Sequence, residues 1–279
     1  MSTLAPDTTR VNHAPAYRLS FPRVVRSEAI KLTTLRSTWW SIGVVVVLSI
    51  GFSLLVAGAL ASSARMVAEN GVSATFTGVS AIVAPIQFTM LLAGALGAIA
   101  ITGEYSTGMI RSSLTAEPRR GVVLAAKAIV VAVLMAVTSL ITFGLAAVAT
   151  APLLTDIPID WGNPEQSTLP ILYGSLSMAV FALLGLSFGF ILRSGPGAIA
   201  ATVGLLFVLP IVANIFSFGD PAWQWIRDLS QYLPMNVAQS LTSPSADVGL
   251  SDPVALLALG GWVAAGLLGA WAVLRTRDA

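Results

Sequence analysis

The chain has no cysteine and a single histidine, His13, among its 279 residues. Without thiols there are no disulfides and no thiolate metal sites, and one imidazole in a polar tail leaves neither a His-based catalytic centre nor a ligand set. Met and carboxylates, the other ligand types, do not cluster. Charge is scarce as well, at 10% of residues, and six long stretches contain no Asp, Glu, Lys, Arg or His at all. They run over about 40–60, 81–101, 128–150, 171–192, 196–217 and 254–274. Titratable groups inside a bilayer are what proton and ion relays are built from, so a secondary transporter has nothing here to work with. No nucleophile and base pair lies within these stretches, which sets aside an intramembrane enzyme. A further absence is the GxxxxGKS/T phosphate loop, without which the chain does not bind and split ATP by that route.

What is present is apolar surface. The chain is 56% hydrophobic, with a mean hydropathy of +0.83, and each charge-free stretch is about as long as a helix rising 1.5 Å per residue needs to cross roughly 30 Å of hydrocarbon. The expected fold class is therefore all-α, a polytopic integral membrane protein with six transmembrane helices. A sequence pI near 9.3 would suit nucleic acid, but charge placement explains it better. Of the fifteen Lys and Arg, six precede the first stretch, four lie between the second and third, Arg193 lies between the fourth and fifth, and Arg275 and Arg277 follow the last. Only Arg65 and Arg227 fall on the other side. The positive-inside rule then places both termini in the cytoplasm of a multi-pass protein of the cell membrane, with the acids Glu69, Asp156, Asp160, Glu165, Asp220, Asp228, Asp247 and Asp252 outside. Ala59-Leu60-Ala61 resembles a signal-peptide cleavage site. The polar lead of nearly forty residues and the length of the first apolar run argue against that reading.

Residues 1–21 read as a disordered cytoplasmic tail, 22–38 as an amphipathic interface helix, and 39–279 as the six-span membrane domain. On a helix, Val24, Val25, Leu32, Leu35 and Trp39 share one stripe, with basic residues elsewhere on the wheel and Trp39 and Trp40 at headgroup level. Glu28 falls within that stripe. It either pairs with Lys31 at the lipid surface, the plainer reading, or marks a face that docks on protein. In the loop Gly103 to Arg120, a helix over 104–111 would project Glu104, Gly108 and Arg111 from one side, with Gly108 allowing close approach of a partner. Thr115 would cap a following helix, leaving Arg119, Arg120 and Lys127 as cytoplasmic anchors on its overhang. Beyond the fifth span, Asp220-Pro221 would start the first of two short helices forming an external hairpin, with a turn at Pro234. Gly185 and Gly189, and Gly261, Ala265 and Gly269, are small-residue faces for helix packing. Pro210 and Asn214 form either an outer gate or a plain kink.

The basic pieces, Glu28, Lys31 and Leu32, then Glu104-Tyr105 with Gly108, Ile110 and Arg111, then Pro118, Arg120 and Lys127, together resemble the permease subunits of type 2 ATP-binding cassette (ABC) transporters, an export-directed class. The segment with Tyr232-Leu233-Pro234 resembles that family's external hairpin. The resemblance implies an interface helix carrying Glu28 and Lys31, and a coupling element carrying Glu104, Tyr105, Gly108 and Arg111, both resting on a separate cytoplasmic ATPase subunit that binds ATP and Mg. This chain would hold no cofactor itself. It would pair with a second permease copy, identical or not, contact membrane lipid, and move a hydrophobic or amphipathic small molecule, lipid or peptide. The competing reading is a non-transporting membrane scaffold or immunity factor that anchors a cytoplasmic partner through the same surface.

Overall fold

The computed structural model describes residues 20–69, 77–217, 223–243 and 249–276. Residues 1–19 of the expected tail, the Asp220-Pro221 helix start, Asp247 and Arg277 lie outside the described residues. Six helical segments are long and apolar enough to cross a membrane: Arg36–Val67, Gly78–Ser106, Arg120–Thr150, Thr168–Leu192, Gly195–Phe216 and Asp252–Thr276. The fold is all-helical, as the hydropathy pattern predicts. Each helix overruns its charge-free stretch, so Glu104 and Lys127 lie inside the helical spans, close to the ends that carry most of the basic residues.

Helix α1 (Phe21–Thr34) starts behind Ser20, with Pro22 in its first turn, where a missing N–H costs nothing and φ is already set. It buries Val24, Glu28 and Leu32, one residue per turn. The sequence pattern carried this helix on through Leu35 to Trp39. Instead Leu35 is extended (φ −76, ψ 117) and α2 (Arg36–Glu69) begins immediately after it. The Trp39 indole N–H donates to Thr33 O at 2.8 Å, satisfying a carbonyl at the exposed end of α1.

The second span is two helices, α3 (Gly78–Val83) and α4 (Ile86–Ser106), interrupted at Pro85. A short helix α5 (Met109–Ala116) follows, and then α6 (Arg120–Thr150). Thr115 does not cap α6. It lies inside α5, its hydroxyl bonded to Arg111 O at 2.8 Å, while Pro118 forces Glu117 into extended backbone (φ −127, ψ 95) and delays the next helix to Arg120.

Helix α7 (Thr168–Leu192) is the centre of the bundle. It packs against α4, α6 and the later helices α11 (Pro234–Thr242) and α12 (Asp252–Thr276), and is the most buried of the spans. Its closest neighbour is α4, through glycines: a Cβ at Gly185 would stand 1.9 Å from Gly94 O, and one at Gly97 would stand 1.9 Å from Ala182 O. The Gly185/Gly189 face is thus spent inside the chain, and its counterparts Gly94 and Gly97 were not foreseen. On α12 (Asp252–Thr276) the expected stripe is met only in part. Gly269 lies against Ile191 of α7, Gly261 meets nothing, and the tightest approach is at Gly266, where an added Cβ would lie 2.9 Å from Ser187 Oγ.

The fifth span is α8 (Gly195–Val203), a π-helical turn at Gly204–Val208, and α9 (Leu209–Ser217). Pro210 has no N–H for Leu206 O and its ring crowds that carbonyl. The adjoining Leu209 N–H reaches back to Gly204 O, which widens the turn. Helices α10 (Gln224–Ser230) and α11 (Pro234–Thr242) form the short hairpin before α12. The Trp262 indole N–H donates to Tyr232 O at 2.7 Å, fastening the hairpin to α12.

Candidate functional site

At the basic end of the bundle, α1, α4 and α6 converge on four charges that come from widely separated parts of the chain. Lys127 of α6 is 1% exposed, Glu28 of α1 is 2% exposed and Glu104 of α4 is 4% exposed. Lys127 Nζ donates to Glu28 Oε2 and, at 2.8 Å, to Glu104 Oε1. Lys31, one turn along α1 from Glu28, donates to Glu28 Oε1 at 2.6 Å and lies 3.4 Å from Glu104 Oε1. Its third donor reaches Ser113 Oγ on α5 at 2.9 Å. Two carboxylates and two ammoniums balance, which is what makes their burial tolerable, since each ion alone would lose several kcal/mol of hydration.

The backbone explains why these residues meet. Glu28 is in register with Val24 and Leu32, so docking the apolar stripe of α1 on α6 necessarily buries its carboxylate. Burial is the largest influence on Glu28 and pushes its pKa up, but the charge and hydrogen bond of Lys127, joined by Lys31, outweigh it and hold the carboxyl below its ordinary value. Burial likewise works against the Lys31 ammonium. Its hydrogen bond to Glu28 and the charges of Glu104 and Glu28 prevail, and its pKa is raised. Of the two readings of Glu28 in the sequence, the structure shows both: it pairs with Lys31, and its face packs on protein, namely α6 of the same chain, so the pair does not sit at the lipid surface.

Helix 104–111 is not continuous. Gly108 adopts left-handed backbone (φ 73) with nothing within 4 Å of where a Cβ would be, so the turn at Thr107-Gly108 ends α4 and redirects the chain into α5. Glu104 therefore points into the bundle while Gly108 and Arg111 are exposed, and the three do not share a side. Tyr105 packs edge-on to Phe190, their ring centres 6.4 Å apart, and Arg193 places its guanidinium 5.4 Å from the centre of the Tyr105 ring. Arg193 itself closes α7 in left-handed backbone (φ 53).

The three expected anchors part company. Lys127 is no overhang cation, being the hub of the buried cluster. Arg119 is exposed and forks onto Glu117, at 2.8 and 3.1 Å. Arg120 donates to Leu274 O, one of the carbonyls left over in the last turn of α12, and so ties the start of α6 to the end of the last helix. At the opposite end, Asn214 lines a polar cleft of about 480 Å³ with Arg227, Gln231, Asn236 and Gln239. Pro210 is buried and off that cleft, so the pair does not form one site. Ser113 and Arg193 are members of the basic-end assembly that sequence reasoning missed. Lys127 did carry a signal: a lone cation set between Val122–Ala126 and Ala128–Val133 is a residue whose partner should be sought. No group of His, Cys, Asp and Glu among the described residues is arranged to hold a metal ion.

A family model for ABC-2 family transporter proteins matches residues 24–279. The chain belongs to that family. No curated protein matches it. This ABC-2 chain is thus a membrane transport component with six apolar helices, and a multi-pass membrane protein.

Proposed function

We propose that the chain is the membrane half of an ABC exporter, driven by a separate cytoplasmic ATPase subunit that docks on the basic end and supplies ATP and Mg chemistry, with a second permease copy completing the pathway. The observation that carries this reading is α5. It is a short helix hung between two spans, exposed at Met109 and Arg111 and joined to α1 through Lys31 and Ser113. A push on α5 would be passed through Lys31 and Glu104 to α1, α4 and α6 together, because buried charges that bond one another are not separated cheaply. The absence of a phosphate loop fits this division of labour. By the same reading, both termini face the cytoplasm of a cell whose plasma membrane the six spans cross, and the cargo is hydrophobic or amphipathic.

Co-purification from native membranes tests it. A phosphate-loop ATPase should accompany the chain, and Met109→Asp with Arg111→Glu on the exposed face of α5 should reduce its recovery at least about tenfold, the effect of losing one interfacial hot spot. Absence of any such ATPase, or full recovery with both variants, would contradict it. Glu104→Ala is a poorer probe, since Glu104 is a buried structural charge.

A further inference from the structure

Beside the charge cluster lies a cavity of about 610 Å³, bounded by α1, the first turns of α2, α4 and α6. Its volume is that of a small-molecule site. Its lining is graded along the membrane axis. At the basic end it holds Glu104, Lys127 and the hydroxyls of Ser37, Thr38 and Ser41, and deeper in it is walled by Leu96, Ala100, Val131 and Leu134. From Lys127 to Met135 on α6 is about 12 Å at 1.5 Å per residue. One end is polar and the other greasy, as in one leaflet of a bilayer.

The cluster at the polar end is electrically balanced but not fully bonded. Among the described residues Glu104 Oε2 is buried with no hydrogen-bond partner, whereas Oε1 of the same carboxylate accepts from both lysines. Lys127 has three N–H donors and bonds two carboxylate oxygens. Lys31, by contrast, has all three donors engaged. What is left over beside the cavity is one acceptor and one donor on two lining residues. A cationic head would meet two ammoniums, and an anionic head would meet two carboxylates. A hydroxyl both donates and accepts and adds no charge.

We propose that this cavity binds a neutral, hydroxyl-bearing amphiphile, its head bridging Glu104 and Lys127 and its apolar body lying along Ala100, Val131 and Leu134. That the ligand is transported cargo rests on the reading above; the binding itself does not. The terminal carboxylate torsion of Glu104 is broad, so a partial turn about it tilts Oε2 toward such a head at the expense of the longer contact of Oε1 with Lys31.

The test uses the purified full chain and four probes of equal chain length presented from detergent micelles: monoolein, methyl oleate, oleate and oleylamine, with retention read by native mass spectrometry. Monoolein should be retained about tenfold better than methyl oleate, the effect of a hydrogen bond to a charged group, and better than either charged probe. Ala100→Trp, which fills the cavity from α4 one turn before Glu104, should abolish monoolein retention while ATPase association stays as in the wild type. Ser41→Trp does the same from the opposite wall. Equal retention of monoolein and methyl oleate would show a mere apolar gap. Preference for oleate or oleylamine would show that the charge argument is wrong, retention surviving both Trp variants would place the ligand elsewhere, and no retention of any probe would leave Oε2 to a buried water. Each of these overturns the proposal. Loss of the ATPase partner alongside intact monoolein selectivity would instead remove the transporter reading and leave the site standing.

Discussion

The two halves of α4 are held in opposite ways. Around Gly94 and Gly97 it touches α7 backbone to backbone, with no charge nearby and no room for a methyl group. Roughly two to three turns further on, at Glu104, it is fastened by ion pairs to α1 and α6. The first kind of contact has one optimum and resists sliding, because helices that meet at glycines lose dispersion contacts as soon as they part. The second is a set of directional bonds among ions that have no alternative partners when dry. A transport subunit has use for both: a stiff centre, and an end where force from outside is shared among three helices.

The largest expected effect lies at the charged end. Lys127→Met should destabilise the protein by about 3–5 kcal/mol, the cost of leaving Glu28 and Glu104 buried without a cation. Thermal unfolding in detergent measures it. Adding Glu28→Gln to that variant should recover part of the loss, and a double variant no better than Lys127→Met alone would mean that the two residues are not coupled. Next comes the glycine seam, where Gly185→Ala should cost about 1–3 kcal/mol through overpacking against Gly94 O. If it melts like the wild type, the seam is looser than described. Gly108→Ala, at an exposed left-handed turn, should cost about 1 kcal/mol and no more. Arg65→Ala, which breaks the exposed pair with Asp156 at 2.8 Å, should change stability by less than about 1 kcal/mol.

Acidity distinguishes the halves without mutation. The Glu28 carboxyl is held below its usual value, so the stability it lends is complete above the ordinary carboxylate range and is lost as pH falls through its lowered folded value. Lys31, raised, lends stability that is complete below the ordinary lysine value and is lost as pH climbs through its raised folded value. Docking of α1 should therefore be level through neutral pH and fail toward both extremes, on the acid side below the ordinary carboxylate range and on the basic side above the ordinary lysine value. Hydrogen exchange across Phe21–Thr34 should show this, while the seam of α4 with α7 stays protected. Parallel loss at both places would erase the distinction.

The same contrast accounts for what the sequence disclosed. Six spans, the short hairpin and a close-packing face at Gly185 follow from local pattern, since hydropathy and small-residue spacing are read along a single helix; that the face meets α4 of the same chain is seen only in the fold. The cluster is a meeting of residues 23 and 99 positions apart, for Lys127 with Glu104 and with Glu28. Taken singly, a Lys beside a span is an anchor and a Glu three residues before a Lys is a surface pair. Only the docking of α1 on α6 turns them into one buried site. At Gly108 a helix running on through 111 and a helix that stops at a left-handed glycine share the same residues until the φ angle is known. Gly266 in place of Gly261 is a question of which face of α12 meets α7, and a stripe of small residues on two faces leaves that open.

The measurement that bears most directly on the account is amphiphile transport in proteoliposomes carrying this chain with and without the proposed ATPase subunit. The account predicts ATP-dependent movement only when both proteins are present, and none from the chain alone under any ion gradient. Movement by the chain unaided would contradict it.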